Sequence, residues 1–170
     1  VTEAAIDSAL EAWEGSGTLD LAPVPHSLAE LERDYGRFDF EDVEDGQIII
    51  DEQWIDENII RATLPIVGDR MIHKRAEPAF RKWLQLVQDK GLDGEMQVFL
   101  TWYPRHQYHK RSNPLSLHSW GIAADVDPFR NPIGRVGEID PGIVDAAERC
   151  GFKWGGRFRR RDDMHFELHR

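Results

Sequence analysis

Two histidines and an aspartate, His118, Asp125 and His165, have the residue types and spacing to hold a divalent metal ion. A catalytic metal site needs about three protein ligands, neutral imidazole or carboxylate, on rigid elements, with one position left for water. His118 lies in Ser116-Leu-His118-Ser-Trp-Gly121, directly before the run Ile122-Ala-Ala-Asp125-Val-Asp127. A tight turn at Gly121 then returns Asp125 to the side of His118. A carboxylate on a strand among Ala123, Ala124 and Val126 is unfavourable to bury alone, which makes a cation its natural partner. In Asp162-Asp-Met-His165-Phe-Glu-Leu168 the period of two turns His165 away from Phe166 and Leu168. Asp162, three residues ahead of His165, is placed to touch water on the metal.

Elements able to position such a set are visible around it. Ile122–Asp127 and Met164–His169 read as strands, as do Met96–Trp102 and Gln47–Ile50. Phe80, Trp83, Leu84 and Val87 repeat at helical spacing up to Gly91, and Asp140-Pro141 opens a helix whose inner side is Ile143, Val144, Ala147 and Cys150. Ser27 with Glu30 forms a capping-box pattern for a short helix ending at Gly36. Ala4, Ile6, Ala9, Leu10 and Trp13 predict a peripheral helix before Gly15-Ser-Gly17. Helices come first, then strands with one helix between them. The expected fold class is α+β, a small, mainly antiparallel sheet with helices packed on one face. Residues 1–25 form an arm and residues 26–170 a single domain.

Three separated blocks carry a resemblance: the Ser116–Asp127 run, Gly151-Phe-Lys-Trp-Gly155-Gly156, and Asp162-Asp-Met-His165-Phe-Glu167. In this order they resemble the D-alanyl-D-alanine carboxypeptidase and L-alanyl-D-glutamate endopeptidase family, zinc peptidases of bacterial peptidoglycan that include many phage endolysins. The likeness covers residues 54–169 and is strongest after 99. It implies a hedgehog/D-Ala-D-Ala-peptidase-like fold, with His118, Asp125 and His165 as ligands of Zn2+ and Asp162 as general base. Asp163 is the immediate rival of Asp162. Arg105, in Thr101-Trp-Tyr-Pro-Arg105, looks like the family arginine that holds a substrate carboxylate or carbonyl, with Arg111 as its alternative. The implied reaction is metal-assisted hydrolysis, Asp162 taking the proton of the attacking water and passing it to the leaving amine. Both bond specificities remain open, since the two share every ligand.

The remaining features bound the reading. The chain has 170 residues, 41% of them hydrophobic, enough for one core without disulfides. No run approaches the roughly 18 apolar residues of a membrane span. The single Cys150 excludes a cysteine metal cluster and reads as a small core residue. The net charge is -10, and 17 of the 31 acidic residues fall in the first 60, against two basic ones. No global basic footprint for nucleic acid exists, although Arg157, Arg159, Arg160 and Arg161 cluster locally. His106 and His109 read as exposed loop residues, His26, His73 and His169 as structural ones, and Trp154-Gly155-Gly156 as a turn at the edge of the cleft. Asp127 shares strand parity with Asp125. The expected partners are bacterial peptidoglycan peptides, the expected state a monomer. The expected place of action is the bacterial cell wall, reached by secretion or as a phage lysin, with no export signal visible. Two other functions share the ligand set: a 2-His-1-carboxylate Fe(II) oxygenase, whose ligands are usually closer in sequence, and a non-catalytic zinc-stabilised module that binds cell wall or protein.

Overall fold

The aromatic spacing that predicts a helix before Gly91 organises the core. In a computed structural model, which describes residues 26–169, that helix spans Glu77–Asp89 and leaves Phe80, Trp83, Leu84 and Val87 without exposure. Each such side chain contributes about 1.5–3 kcal/mol by burial. The Trp83 ring lies 5.5 Å from Phe99, 4.8 Å from Phe152 and 4.9 Å from Phe166, so three strands meet one indole. Its Nε1–H donates to the carbonyl of Ile143, which ties in the second core helix.

In chain order the elements are α1 (Leu28–Tyr35), β1 (Phe40–Asp42), β2 (Ile48–Ile50), α2 (Glu52–Asn58), β3 (Ile59–Leu64) and β4 (Gly68–His73). There follow α3 (Glu77–Asp89), β5 (Phe99–Leu100), β6 (Ala123–Val126), α4 (Pro141–Arg149), β7 (Phe152–Trp154) and β8 (His165–Leu168). The main sheet has the order β5-β6-β8-β7 and is antiparallel throughout, and β1-β2 and β3-β4 are separate antiparallel pairs. The α+β class is as expected.

Local signals set several boundaries. Glu30 N–H donates to Ser27 Oγ and Ser27 N–H to the Glu30 carboxylate, so the capping box of α1 is real. Asp140 accepts from Gly142 N–H ahead of Pro141 in α4. Other expectations need correction. The Met96–Trp102 strand contracts to Phe99–Leu100, because the chain beyond it turns to serve His118. The order is also more mixed than helices then strands, since β1 to β4 precede α3. The helix expected over residues 4–13 lies outside the described residues.

On β8, Phe166 and Leu168 are buried against the helices while His165 and Glu167 take the opposite face. Core and chemistry thus occupy two sides of one sheet.

His73, at the end of β4, is 1% exposed and bonds through Nε2 to Tyr35 O while Nδ1 accepts from Arg75 N–H. Burial, with Lys74 and Arg75 nearby, lowers its pKa from 6.5 to about 4. The unfolded chain therefore binds the proton more readily, and stability is lost as pH falls from 6.5 towards 4, by about 2–3 kcal/mol. Urea midpoints taken across this window should fall in the wild type, and His73→Asn should flatten that dependence.

Candidate metal centre

Ser116 to Gly121 form a single 3-10 turn, Leu117–Trp120, capped by Ser116, whose Oγ accepts from His118 N–H. Gly121 ends it at φ 68, and a Cβ there would stand 2.7 Å from the backbone nitrogen of His73. Only glycine allows both that conformation and that approach. His118 is 1% exposed. Its Nδ1 bonds to the Thr101 carbonyl, so Nε2 is the nitrogen turned toward Asp125, 3.1 Å from Oδ1.

Asp125 and His165 are direct cross-strand partners on β6 and β8, and His165 Nδ1 lies 3.0 Å from the same Asp125 Oδ1. Ligand atoms of His118, Asp125 and His165 all fall within 4.8 Å of one another, the one such cluster among the described residues. His118 Nε2 is buried, and its approach to Asp125 lacks the geometry of a hydrogen bond. Burial would raise the Asp125 pKa, but His118 and His165 outweigh it and hold the carboxyl well below its usual range. Burial likewise disfavours a charged His165, yet hydrogen bonds to Asp125 and Glu167 lift that ring to about 10. Two imidazole nitrogens and a carboxylate oxygen converging in a buried place suit a divalent cation of the zinc type.

Asp162 joins this cluster through charge. Its Oδ1 is buried and unpartnered, and its pKa is raised, chiefly by burial and also by Asp125, against the opposing pull of His165, His118 and Arg105. Asp163 turns the other way: it pairs with Arg161 at 2.6 Å and accepts from Gly137 N–H. Asp163 is thus a buried structural anchor.

The Trp154-Gly155-Gly156 turn sits beneath Asp162. Asp162 N–H donates to Gly155 O, and a Cβ on Gly155 would lie 2.4 Å from Asp162 O and 3.2 Å from His165 Cβ. Glycine here lets two backbone segments touch. Gly155→Ala should therefore displace Asp162 and, if Asp162 is the base expected from the sequence, lower kcat by about tenfold or more through its misplacement, with thermal melts checking that the fold survives.

Arg105 lines a cleft of about 500 Å³ with Arg70, Phe99, Thr101, Tyr103, His118 and Asp125. Its Nη2 is 3.8 Å from Asp125 Oδ2, and its guanidinium lies 5.4 Å from the Tyr103 ring centre. Arg111 instead donates to the carbonyl of Val43, away from the cleft lining. His106 is not an exposed loop residue: it is buried, with Nε2 2.7 Å from Asp42 and Nδ1 bonded to Asn113 O. Asp127 does not face the cluster either. Its φ of 45 breaks the strand parity, and Oδ1 accepts from the backbone N–H of Gln97 and Val98, fixing the approach to β5. In the basic cluster, Arg157 pairs with Glu148 and Arg160 covers the Tyr108 ring.

Two contributors escape sequence reasoning. The Thr101 carbonyl that fixes His118 has no side-chain signature. Glu167, two residues after His165 on the same strand face, reaches His165 Nε2 at 3.2 Å, and strand parity alone could have revealed it. Burial opposes its charge, but His165 and His169 bring its pKa down to about 2.

Against known proteins, residues 109–168 match the family model described as D-alanyl-D-alanine carboxypeptidase. That segment contains His118, Asp125, Asp162 and His165 and begins just after Arg105. No curated protein and no solved structure gives a significant match. The resemblance read from the sequence is borne out over residues 109–168, which are similar to the D-alanyl-D-alanine carboxypeptidase family of peptidases.

Proposed function

We propose that the protein is a zinc-dependent peptidase that hydrolyses peptidoglycan stem peptides at the bacterial cell wall, as an L-alanyl-D-glutamate endopeptidase or a D-alanyl-D-alanine carboxypeptidase. The observation that carries this reading is the convergence of His118 Nε2, Asp125 Oδ1 and His165 Nδ1 beside Asp162, whose Oδ1 is buried and unpartnered. In this reading His118, Asp125 and His165 hold the zinc, and residues 26–170 are one catalytic domain behind an arm of residues 1–25. Zinc bound there supplies Lewis acidity, which makes water a nucleophile near neutral pH and polarises a carbonyl. Asp162 takes the proton of the attacking water and gives it to the departing amine. Its raised pKa suits that exchange, because a carboxyl that keeps its proton longer is a better donor in the second half of the reaction. Arg105, half-enclosed by the cleft, holds a carboxylate or carbonyl of the peptide.

A base beside the ligands has a use in hydrolysis and none in a module that only binds, so the catalytic reading is favoured. Digestion of purified peptidoglycan by zinc-loaded protein, followed by mass spectrometry, tests it. New amino-terminal D-glutamate indicates the endopeptidase, and free D-alanine the carboxypeptidase. Muropeptides that are bound and left intact would overturn the enzyme, and iron in excess over zinc with oxygen consumption would overturn the metal.

A further inference from the structure

Glu167 is a partly buried carboxylate that the hydrolytic scheme leaves without a task. It projects from β8 on the same face as His165, its side chain 13% exposed, at the edge of an apolar groove lined by Leu28, Leu31, Phe38, Phe40 and Leu117. A carboxylate so placed needs strong partners. It has two: Oε2 is 3.2 Å from His165 Nε2, and Oε1 is 2.8 Å from His169 Nε2. The His169 ring is itself held, stacked on His26 at 4.1 Å, while His26 Nε2 bonds to Leu168 O. Glu167 is thus fixed from the side remote from His165.

The two histidines of the cluster are oriented in complementary ways. His118 is held at Nδ1 by the Thr101 carbonyl and offers Nε2, whereas His165 is held at Nε2 by Glu167 and offers Nδ1. A neutral imidazole carries one proton, and an acceptor at one nitrogen keeps that proton there and leaves the other nitrogen's lone pair free. A charged acceptor also makes the ring a better electron donor than a carbonyl does.

Building on the proposed zinc centre, we infer that Glu167 is the positioning residue of that centre: it fixes the tautomer and ring orientation of His165, so that zinc is retained tightly, with His169 and His26 as its support.

The experiment measures zinc affinity by competition with a chromophoric chelator, on the full chain, for the wild type, Glu167→Ala and Glu167→Gln. Glu167→Ala should weaken zinc binding by about 10- to 100-fold. Glu167→Gln, whose amide oxygen can still accept from Nε2–H, should fall between the two. Nitrogen chemical shifts of His165 in zinc-loaded protein should show the proton at Nε2 in the wild type and in Glu167→Gln. Wild-type affinity in Glu167→Ala would overturn the inference and leave the zinc centre standing. A wild type that binds no zinc would overturn the centre and this inference with it. Should Glu167→Ala fail to fold, Glu167→Gln decides alone: affinity equal to wild type, or the Nε2 proton displaced, refutes the role.

Discussion

Asp162→Asn should keep zinc at wild-type stoichiometry and melt within a few degrees of the wild type, yet lose about 10²- to 10⁴-fold in kcat. The substitution is nearly isosteric, and Oδ1 of Asp162 has no hydrogen-bond partner to lose. What disappears is the ability to accept a proton. The fold should change little, because Asp162 N–H and carbonyl make the local contacts, to Gly155 O and His165 N–H, through the backbone. Steady-state hydrolysis of a purified muropeptide, with metal content measured on the same sample, checks it. Undiminished turnover would remove Asp162 from the reaction. Asp163→Asn is the control: it should reduce stability by loosening the Arg161 pair and the Gly137 contact, without a matching loss of kcat at low temperature.

Asp125→Asn should abolish activity by a different route. Zinc affinity should drop on the order of 10²-fold or more, since one of the three proposed ligands would lose its charge out of a total binding free energy of about 10–16 kcal/mol. The same change should destabilise the metal-free protein. The Asp125 carboxylate is held well below its ordinary pKa by His118 and His165, so it contributes stability that is present above the usual carboxylate range and is lost only on strong acidification. His165, lifted to about 10, contributes most below the ordinary histidine range and progressively less as pH rises towards 10. Removing Asp125 leaves that charged ring without its main partner, at a cost of about 3–5 kcal/mol. Calorimetry of the metal-free variant at neutral pH measures the second effect, and zinc titration the first. A variant that binds zinc as tightly as the wild type would take Asp125 out of the centre.

Much of the centre is legible in the sequence because its determinants are local. The turn before Gly121, the strand after it and the alternation around His165 are each set within about six residues. The helix through Trp83 and the caps at Ser27 and Asp140 are local for the same reason. What escapes depends on distant partners. His106 is buried because Asp42, 64 residues earlier in the chain, meets its ring. The β3-β4 pair lacks the two-residue Asn-Gly or Gly-X signal of a tight hairpin: Pro65, Ile66 and Val67 join it, with Ile66 at φ 54, a conformation rarely given to a β-branched side chain. Asp127 deceives by parity, since the strand period holds only while the backbone stays extended. Arg105 and Arg111 are indistinguishable by type and are separated only by the Val43 carbonyl that captures one of them.

The direct pairing of Asp125 with His165 across adjacent strands has a practical corollary. A molecule that zips these strands one position out of step would point one of the two side chains into the oily interior and be blind to zinc. On the proposed function, moles of tightly held zinc per mole of polypeptide should therefore count the correctly assembled molecules in a preparation, and specific activities normalised to that count should agree between batches of unequal quality.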